Sequence, residues 1–247
     1  MHDYISPLDI PGRDRLIMAL DLPDIDKARA LVETLGDSVS FYKVGLELFM
    51  AGDYFGLVSW LKAQGKKVFA DLKFFDVPET VARAVRALQG HGVDFATVHG
   101  NEAIMQAAAA AKGDIKILAV TVLTSLDQGD LDDLGFGCDV STLVLSRARR
   151  ALASGCDGVI SSGLEVPALR REVDHQLLVV SPGIRPVHNR PSDDQKRVVT
   201  LEQAFLNGAD YVVVGRPIRD AADPRLAAEQ AQEQIAGLFR QGPEQTT

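Results

Sequence analysis

The sequence predicts an α/β protein whose eight parallel strands, each followed by a helix, close into a single (β/α)8 barrel. Three observations support this fold class. Short apolar runs alternate along the whole chain with amphipathic stretches rich in Ala, Leu, Arg and Glu. The apolar runs are almost continuous, which is typical of parallel strands covered on both faces. The unit occurs eight times, which favours a closed barrel over an open sheet.

The predicted strands are short apolar runs bounded by polar or Gly residues. In chain order they are 16–20 (LIMAL), 42–46 (YKVGL), 68–73 (VFADLK), 95–99 (FATVH), 117–123 (ILAVTVL), 158–162 (GVISS), 177–181 (LLVVS) and 211–215 (YVVVG). Because these runs contain few polar side chains, both faces of each strand are expected to be buried.

Each strand is followed by a stretch with apolar residues at helical spacing, which predicts a helix packed against the outside of the barrel. In chain order these helices are 25–35, 47–63, 79–89, 102–112, 141–153, 166–173, 201–207 and 225–238. The 247 residues match the usual size of one such barrel, so one domain is predicted over 1–247. Its core is expected to span about 14–240, with irregular segments at 1–13 and 241–247.

Composition argues against several classes of function. The net charge is −8 and no basic run exceeds a few residues, which disfavours nucleic acid or an anionic membrane as the main partner. We find neither a signal-peptide pattern nor an apolar stretch of about 18 residues, so a cytoplasmic protein without membrane spans is expected. Cys138 and Cys156 match no metal-ligand spacing and are expected to be reduced. The segment after the first strand, which contains Asp21, lacks the glycine pattern of a dinucleotide-binding fold.

The end of the third strand carries the strongest functional signal. Asp71 and Lys73 are two residues apart, so in a strand their side chains lie on one face, about 7 Å apart. Asp76 follows in the next loop. Parallel barrels place their chemistry at the carboxyl ends of the strands, which predicts an active site here. An ordinary exposed ion pair is the alternative for these charges.

Polar residues at the ends of the other strands share the same mouth if the barrel closes. Lys43, in the second strand, could form an alternating charge network with Asp71, Lys73 and Asp76. His99 could be a base, a metal ligand or a structural histidine. The remaining strand-end residues are Asp21, Thr124, Ser125, Arg185, Gly215 and Arg216.

The last two units predict a phosphate site. Gly215 exposes backbone N–H groups and the Arg216 guanidinium can bind phosphate through two hydrogen bonds. A structural turn is the alternative for this segment. The long polar loop 183–197 predicts a lid over a bound ligand, with a solvated surface loop as the alternative.

Six motifs occur in an order and spacing that resemble one family. They are 19–21 (ALD), 43–45 (KVG), 71–80 (DLKFFDVPET), 120–125 (VTVLTS), 182–186 (PGIRP) and 214–217 (VGRP). Together they resemble the orotidine 5'-phosphate decarboxylases of the bacterial type, and the resemblance extends from residue 16 to about residue 224. The Asp-x-Lys-x-x-Asp element alone would indicate only the wider superfamily of decarboxylases and aldolases.

The resemblance implies decarboxylation of orotidine 5'-monophosphate to uridine 5'-monophosphate in de novo pyrimidine biosynthesis, with no cofactor and no metal. It implies that Lys73 is the cation beside C6 of the pyrimidine and the proton donor to it. Asp71 would face the substrate carboxylate, and Lys43 would hold both side chains in position. Asp21 would accept hydrogen bonds from the ribose hydroxyls.

The resemblance also implies a homodimer with shared active sites, in which Asp76 and Thr80 reach the ribose and phosphate region of the partner's site. Thr124, with Ser125, would contact the edge of the pyrimidine. The 5'-phosphate would be bound by Arg185, Gln195, Gly215 and Arg216. Of these, Gln195 belongs to the predicted lid.

Two residues depart from the usual pattern of that family. Phe75 stands where many relatives have His, and Glu79 stands where many have Asn, so no role follows for either. A Mg²⁺-dependent sugar-phosphate decarboxylase or aldolase of the same superfamily is the main alternative. Such enzymes tend to present a glutamate where this chain has Lys43, whose charge would repel the metal. A catalytically silent binding barrel would be expected to have lost Lys73 or its neighbouring carboxylates.

Overall fold

A computed structural model describes residues 4–185 and 196–240. The eight strands form one closed parallel barrel in sequence order, in which β8 also pairs with β1. Their bounds are β1 Leu16–Ala19, β2 Phe41–Gly45, β3 Lys67–Phe74, β4 Phe95–Val98, β5 Lys116–Val120, β6 Gly158–Ile160, β7 Leu178–Ser181 and β8 Tyr211–Val214. The predicted (β/α)8 fold class is therefore confirmed.

The helices cover the outside of the barrel. They are α1 Ile25–Leu35, α2 Leu46–Met50, α3 Tyr54–Ala63, α4 Pro78–Gln89, α5 Glu102–Ala110, α6 Gln128–Asp133, α7 Val140–Ala153, α8 Val166–Glu172, α9 Leu201–Leu206, α10 Arg216–Arg219 and α11 Pro224–Arg240. In the described part of the chain, no helix is both long and apolar enough to cross a bilayer.

The prediction of one continuous second helix over 47–63 was wrong. The segment divides into α2 and α3 because Gly52 has a φ of +147°, outside the helical region. Asp53 then caps α3 by accepting a hydrogen bond from the N–H of Gly56 at 2.9 Å. The short helices α6 and α10 were not predicted. The fifth strand stops at Val120, three residues before the predicted end, because its partner β6 is only three residues long.

Two layers of apolar side chains form the core, because successive residues of a strand point to opposite faces. The larger layer lies between the strands and the helices. The smaller one fills the barrel interior and consists of Ile17, Ala19, Phe41, Phe69, Phe95, Leu118, Val180, Tyr211 and Val213. Phe95 packs edge-on against Phe41, with ring centroids 4.9 Å apart, and Ile10 packs against this interior cluster.

Three aspartates in Gly-x-Asp segments fix the strands at the amino-terminal end of the barrel. Asp94, Asp157 and Asp210 precede β4, β6 and β8. Each accepts a hydrogen bond from a backbone N–H near the start of the preceding strand, at 2.8, 2.9 and 2.7 Å respectively. Each also pairs with a cation of the surrounding helical layer, Lys62, Lys112 or Arg170, at 2.7, 2.8 and 2.7 Å. This end of the barrel is thereby occupied by structural charges, and the opposite end carries the cavity described below.

Candidate active site

Four charged side chains from three neighbouring strands form an alternating chain at the carboxyl end of the barrel. Lys43 Nζ lies 2.9 Å from Asp21 Oδ1 and 3.4 Å from Asp71 Oδ2. Lys73 Nζ lies 2.9 Å from Asp71 Oδ1. The order is therefore Asp21, Lys43, Asp71, Lys73, so every charge has a neighbour of opposite sign. We call these four residues the charge network.

The end of β3, which carries Asp71 and Lys73, departs from regular strand geometry. Lys73 has a φ of +48°, which is uncommon for a residue with a side chain. The pairing register between β3 and β4 shifts between Ala70 and Phe74. Asp71 and Lys73 nevertheless line the same cavity, so the prediction that they share one mouth is confirmed. The charged groups of Asp71 and Lys73 lie closer together than the separation of about 7 Å expected for a regular strand. The reason is that Lys73 Nζ turns back toward the carboxylate of Asp71.

Electrostatics keep the two buried members of the network charged. Burial by itself favours the neutral form of Asp71, but the charges of Lys43 and Lys73 outweigh it, and hydrogen bonds from Lys73 and Thr97 add to them. The pKa of Asp71 consequently lies below its ordinary value. Burial likewise opposes the charge of Lys43, yet Asp71 and Asp21 raise the pKa of that ammonium above its ordinary value.

Asp76 lies outside the charge network of the chain. Its side chain is exposed and accepts a hydrogen bond from the N–H of Val77 at 2.6 Å. The predicted alternation of Lys43, Asp71, Lys73 and Asp76 is thus not formed within one chain, in which Asp21 is the fourth member. The reason is the segment after β3, in which Phe75, Asp76 and Val77 are exposed and lead into α4 at Pro78.

A cavity of about 480 Å³ opens beside the charge network. The walls combine the network with polar and basic residues that follow β5, β7 and β8. These residues are Thr124, Ser125, Arg185, Gly215, Arg216 and Arg219. All of them except Arg219 are predicted from the sequence; the Arg219 guanidinium donates to the carbonyl of Asp21 and pairs with the carboxylate of Asp220. Gln195, the remaining predicted phosphate ligand, lies outside the described residues.

The described ends of the predicted lid are fastened to the barrel. Ile184 and Val199 form a parallel bridge, and the N–H of Arg185 donates to the carbonyl of Val199 at 2.9 Å. The guanidinium of Arg197 lies 2.6 Å from the Glu165 carboxylate in a nearly buried ion pair. Residues 186–195 lie outside the described part of the chain.

Arg197 also connects the C-terminal end of the lid to the loop after β5, a contact that no local sequence pattern predicts. Its guanidinium donates to the carbonyls of Val122 and Leu123, both at 3.0 Å, immediately before Thr124. The backbone N–H groups of Lys196 and Arg197 donate to the carbonyl of Thr124 at 3.1 and 3.2 Å. The same contacts therefore hold Thr124, the candidate for the pyrimidine edge, and the described C-terminal end of the lid.

Phe75, Glu79 and His99 lie outside the set of residues that line the cavity. Phe75 is 70% exposed and packs edge-on against His99, with ring centroids 5.6 Å apart. Glu79 lies in the first turn of α4 and pairs with Arg86 at 3.2 Å. Burial, together with the positive charges of Arg147 and Lys73, holds the pKa of His99 below its ordinary value. These contacts favour the structural interpretation of His99.

A metal site is not formed by the described residues, among which no three His, Cys, Asp or Glu side chains are grouped to hold an ion. The position where a metal-dependent relative would present a glutamate carries the ammonium of Lys43 between two carboxylates. A cation beside that ammonium would be repelled.

The family follows from comparison with known proteins. Residues 14–231 match the model of the Orotidine 5'-phosphate decarboxylase / HUMPS family. The chain belongs to this family. The membership predicted from the six motifs is thereby confirmed.

The relatives include a protein named orotidine 5'-phosphate decarboxylase from Methylococcus capsulatus, 75% identical over 98% of this chain and 100% of the relative. A protein of the same name from Xanthomonas axonopodis pv. citri is 49% identical over 96% of this chain and 98% of the relative. The crystal structure of orotidine 5'-phosphate decarboxylase from Lactobacillus acidophilus aligns with a TM-score of 0.79 at 35% identity, over 90% of this chain and 99% of that one.

The lowered pKa of His99 predicts how stability responds to acid. In the unfolded chain the ring titrates near pH 6.5, so just below that pH the unfolded state binds more protons than the folded state. Stability should therefore fall as the pH drops through about 6.5 toward the folded pKa. We expect His99→Gln to lose less unfolding free energy than the wild type between about pH 7.5 and 5.5. Urea unfolding at both pH values measures this, and equal losses would show that the ring titrates normally.

Proposed function

We propose that the chain decarboxylates orotidine 5'-monophosphate to uridine 5'-monophosphate, with no cofactor and no metal. The observation that carries the proposal is the charge network: a lysine beside a buried, ionised aspartate in a cavity that Arg185 and Arg216 also line. A cavity that combines a charged reaction centre with further cations fits a small anionic nucleotide. The names of relatives up to 75% identical support the same activity.

The reaction demands placed charge. Loss of CO2 from C6 leaves a carbanion whose lone pair lies in the ring plane, so the ring cannot simply delocalise it. A preorganised ammonium stabilises such a carbanion in a site that excludes water. In this proposal Lys73 is that ammonium and delivers the proton that replaces CO2 at C6.

Asp71 acts in the proposal on the substrate carboxylate. Because Lys43 and Lys73 keep the pKa of Asp71 low, this side chain remains negative beside the negative carboxylate of the substrate. The repulsion is relieved as the carboxylate leaves and negative charge moves toward Lys73, so the transition state is favoured over the bound substrate. Lys43 holds Asp71 in place through a 3.4 Å contact, and Asp21, at 2.9 Å from Lys43, is assigned to the ribose hydroxyls.

The phosphate is assigned to Arg185, Gly215 and Arg216, together with Gln195 from the lid. Arg216 begins α10 directly after β8, and barrels commonly bind phosphate at this position. Thr124 is assigned to the pyrimidine edge. Binding energy from the remote phosphate would drive closure of the lid and support the chemistry at C6.

A homodimer with shared active sites is part of the proposal. Apolar side chains are exposed just after two neighbouring strands, β2 and β3, and exposed apolar patches typically mark interfaces. These residues are Leu46, Phe49, Met50, Phe75 and Val77, with exposures from 42% to 80%. Asp76 lies between Phe75 and Val77 of this patch, and Thr80 follows three residues later. Burial of the patch against a second copy would therefore bring both residues toward the partner. The dimer is proposed to act in the cytoplasm, in the last step of de novo pyrimidine synthesis.

Removal of Lys73 should abolish turnover without unfolding the chain. We expect Lys73→Ala to lower kcat at least about 1,000-fold, because both the carbanion's counter-charge and its proton donor are lost. The assay is the loss of ultraviolet absorbance of orotidine 5'-monophosphate in chelator, with metal-stripped protein and with exposed Lys27→Ala as the control.

Two outcomes of this assay would contradict the proposal. A Lys73→Ala variant with more than about a tenth of wild-type kcat would remove Lys73 as the proton donor. A wild type that is inactive in chelator, but converts a keto sugar phosphate when Mg²⁺ is added, would favour the metal-dependent enzymes of the superfamily.

Loss of Arg216 should weaken the binding of a nucleotide that carries a phosphate. We expect Arg216→Ala to weaken binding of uridine 5'-monophosphate about 10- to 100-fold and to leave binding of uridine, which lacks the phosphate, nearly unchanged. Titration calorimetry with both ligands measures the difference, with Arg225→Ala as an exposed arginine control. An unchanged affinity for the nucleotide would remove Arg216 from the phosphate site.

Shared sites predict complementation between two inactive variants. In a random mixture of Lys73→Ala and Asp76→Ala subunits, half of the dimers are mixed, and each mixed dimer has one site with neither substitution. We expect about a quarter of wild-type activity to return after the subunits exchange. Native mass spectrometry verifies exchange, and inactive mixed dimers would show that Asp76 does not serve the partner's site.

A further inference from the structure

Thr97 is a buried residue of the site that the catalytic assignments leave out. It lies in β4, with 0% exposure, beside the irregular end of β3. Its Oγ1 accepts a hydrogen bond from the backbone N–H of Lys73 at 2.9 Å. The same hydroxyl donates to Oδ1 of Asp71, also at 2.9 Å. One side chain therefore contacts the backbone of Lys73 and the carboxylate of Asp71.

The hydrogen bond to the backbone of Lys73 takes the place of a backbone hydrogen bond where the pairing of β3 with β4 is interrupted. Where β3 and β4 shift register between Ala70 and Phe74, the N–H of Lys73 bonds the Thr97 hydroxyl. A buried N–H without an acceptor would destabilise this segment. Because Lys73 also holds a φ of +48°, its conformation persists only where the surroundings fix it. Thr97 supplies one of those fixed contacts.

The second hydrogen bond orients the carboxylate. Oδ1 of Asp71 accepts from both Thr97 and Lys73, whereas Oδ2 faces Lys43. A hydroxyl has a single proton to donate, so its direction is determined once its partner is fixed. The contact keeps Oδ1 toward Lys73 and Oδ2 toward Lys43.

We propose that Thr97 is a positioning residue for the decarboxylation, holding the backbone of Lys73 and the carboxylate of Asp71 in their reactive arrangement. This inference rests on the proposed function. It assigns a role to a residue that does not line the cavity and that neither the motifs nor the comparisons identify.

The hydroxyl also contributes to the ionisation of Asp71. The charged groups around this carboxylate are Lys43 of β2, Lys73 of β3 and, beyond Lys43, Asp21 after β1, and the titratable phenol of Tyr54 in α3 lies on the same side. A hydrogen bond donated to a carboxylate favours its charged form. Loss of the Thr97 hydroxyl should therefore raise the pKa of Asp71, and the lysines should still hold it ionised at neutral pH.

Thr97→Val tests the role with little change in shape. We expect kcat to fall about 10- to 100-fold while KM changes less than about threefold, because substrate-binding residues are untouched. Thr97→Ser, which keeps the hydroxyl, should recover kcat to within about threefold of the wild type. If Thr97→Val fails to fold, Thr97→Ala removes the same hydroxyl without a branched side chain and should give the same split.

Thr121→Val is the matched control. Thr121 is also buried, at 1% exposure, and its hydroxyl donates to the carbonyl of Ile160 at 2.8 Å, away from the charge network. We expect this variant to keep kcat within about threefold of the wild type. An equal loss of kcat in both variants would mean that any buried hydroxyl matters, which would overturn the proposal.

A titration supplies a readout that needs no turnover. Carbon-13 NMR of the aspartate carboxyls, with Asp71 assigned through Asp71→Asn, should show Asp71 titrating at higher pH in Thr97→Val than in the wild type. The acid limb of kcat should move in the same direction. An unshifted titration, or a serine variant as impaired as the valine variant, would refute the positioning role. A wild type that does not decarboxylate orotidine 5'-monophosphate would instead refute the proposed function, whatever the titration shows.

Discussion

The pairing of β1 with β8 is the constraint on which the whole site depends. It closes the sheet, so that the carboxyl ends of all eight strands surround one mouth. In an open sheet, Asp21 and Gly215 would lie at opposite edges. In the closed barrel they are so close that a Cβ built on Gly215 would lie 3.8 Å from Oδ2 of Asp21. Closure therefore brings the charge network and the phosphate candidates to one cavity.

The two ends of the barrel use charge for different purposes. At the amino-terminal end, Asp94, Asp157 and Asp210 accept hydrogen bonds from strand N–H groups and pair with Lys62, Lys112 and Arg170, so these carboxylates are satisfied within the fold. At the carboxyl end, the network lines a cavity, and Lys73 keeps about a third of its side chain exposed. Burying ion pairs contributes little net stability, since desolvation opposes the attraction between the charges. Packing of the apolar layers stabilises the fold. The charge network instead lies where its side chains can contact a bound molecule.

Local signals explain which parts of the site the sequence predicted. Asp71, Lys73, Asp21, Lys43, Arg185 and Arg216 were identified because each follows or ends an apolar run or lies in a motif. Thr97 carries no such signal, because it stands in an apolar run with no local sign of its two partners. Nor is the pair of Arg197 and Glu165 visible locally, since the two residues are 32 apart in sequence and meet only when the loops after β6 and β7 come together. The Gly-x-Asp segments before β4, β6 and β8 were a visible repeat, but their common role depends on contacts with other strands.

The sequence by itself determined the alternation of strands and helices, the family and most of the charged residues of the mouth. These follow from local periodicity and from motifs within a few residues. Only the tertiary structure decided which charges pair, that Asp21 rather than Asp76 completes the network in one chain, and that Lys73 departs from regular strand geometry. Those outcomes depend on strand register and on hydrogen-bond partners that are distant in sequence. A pattern along one strand cannot specify them, because each is a property of two or more strands packed together.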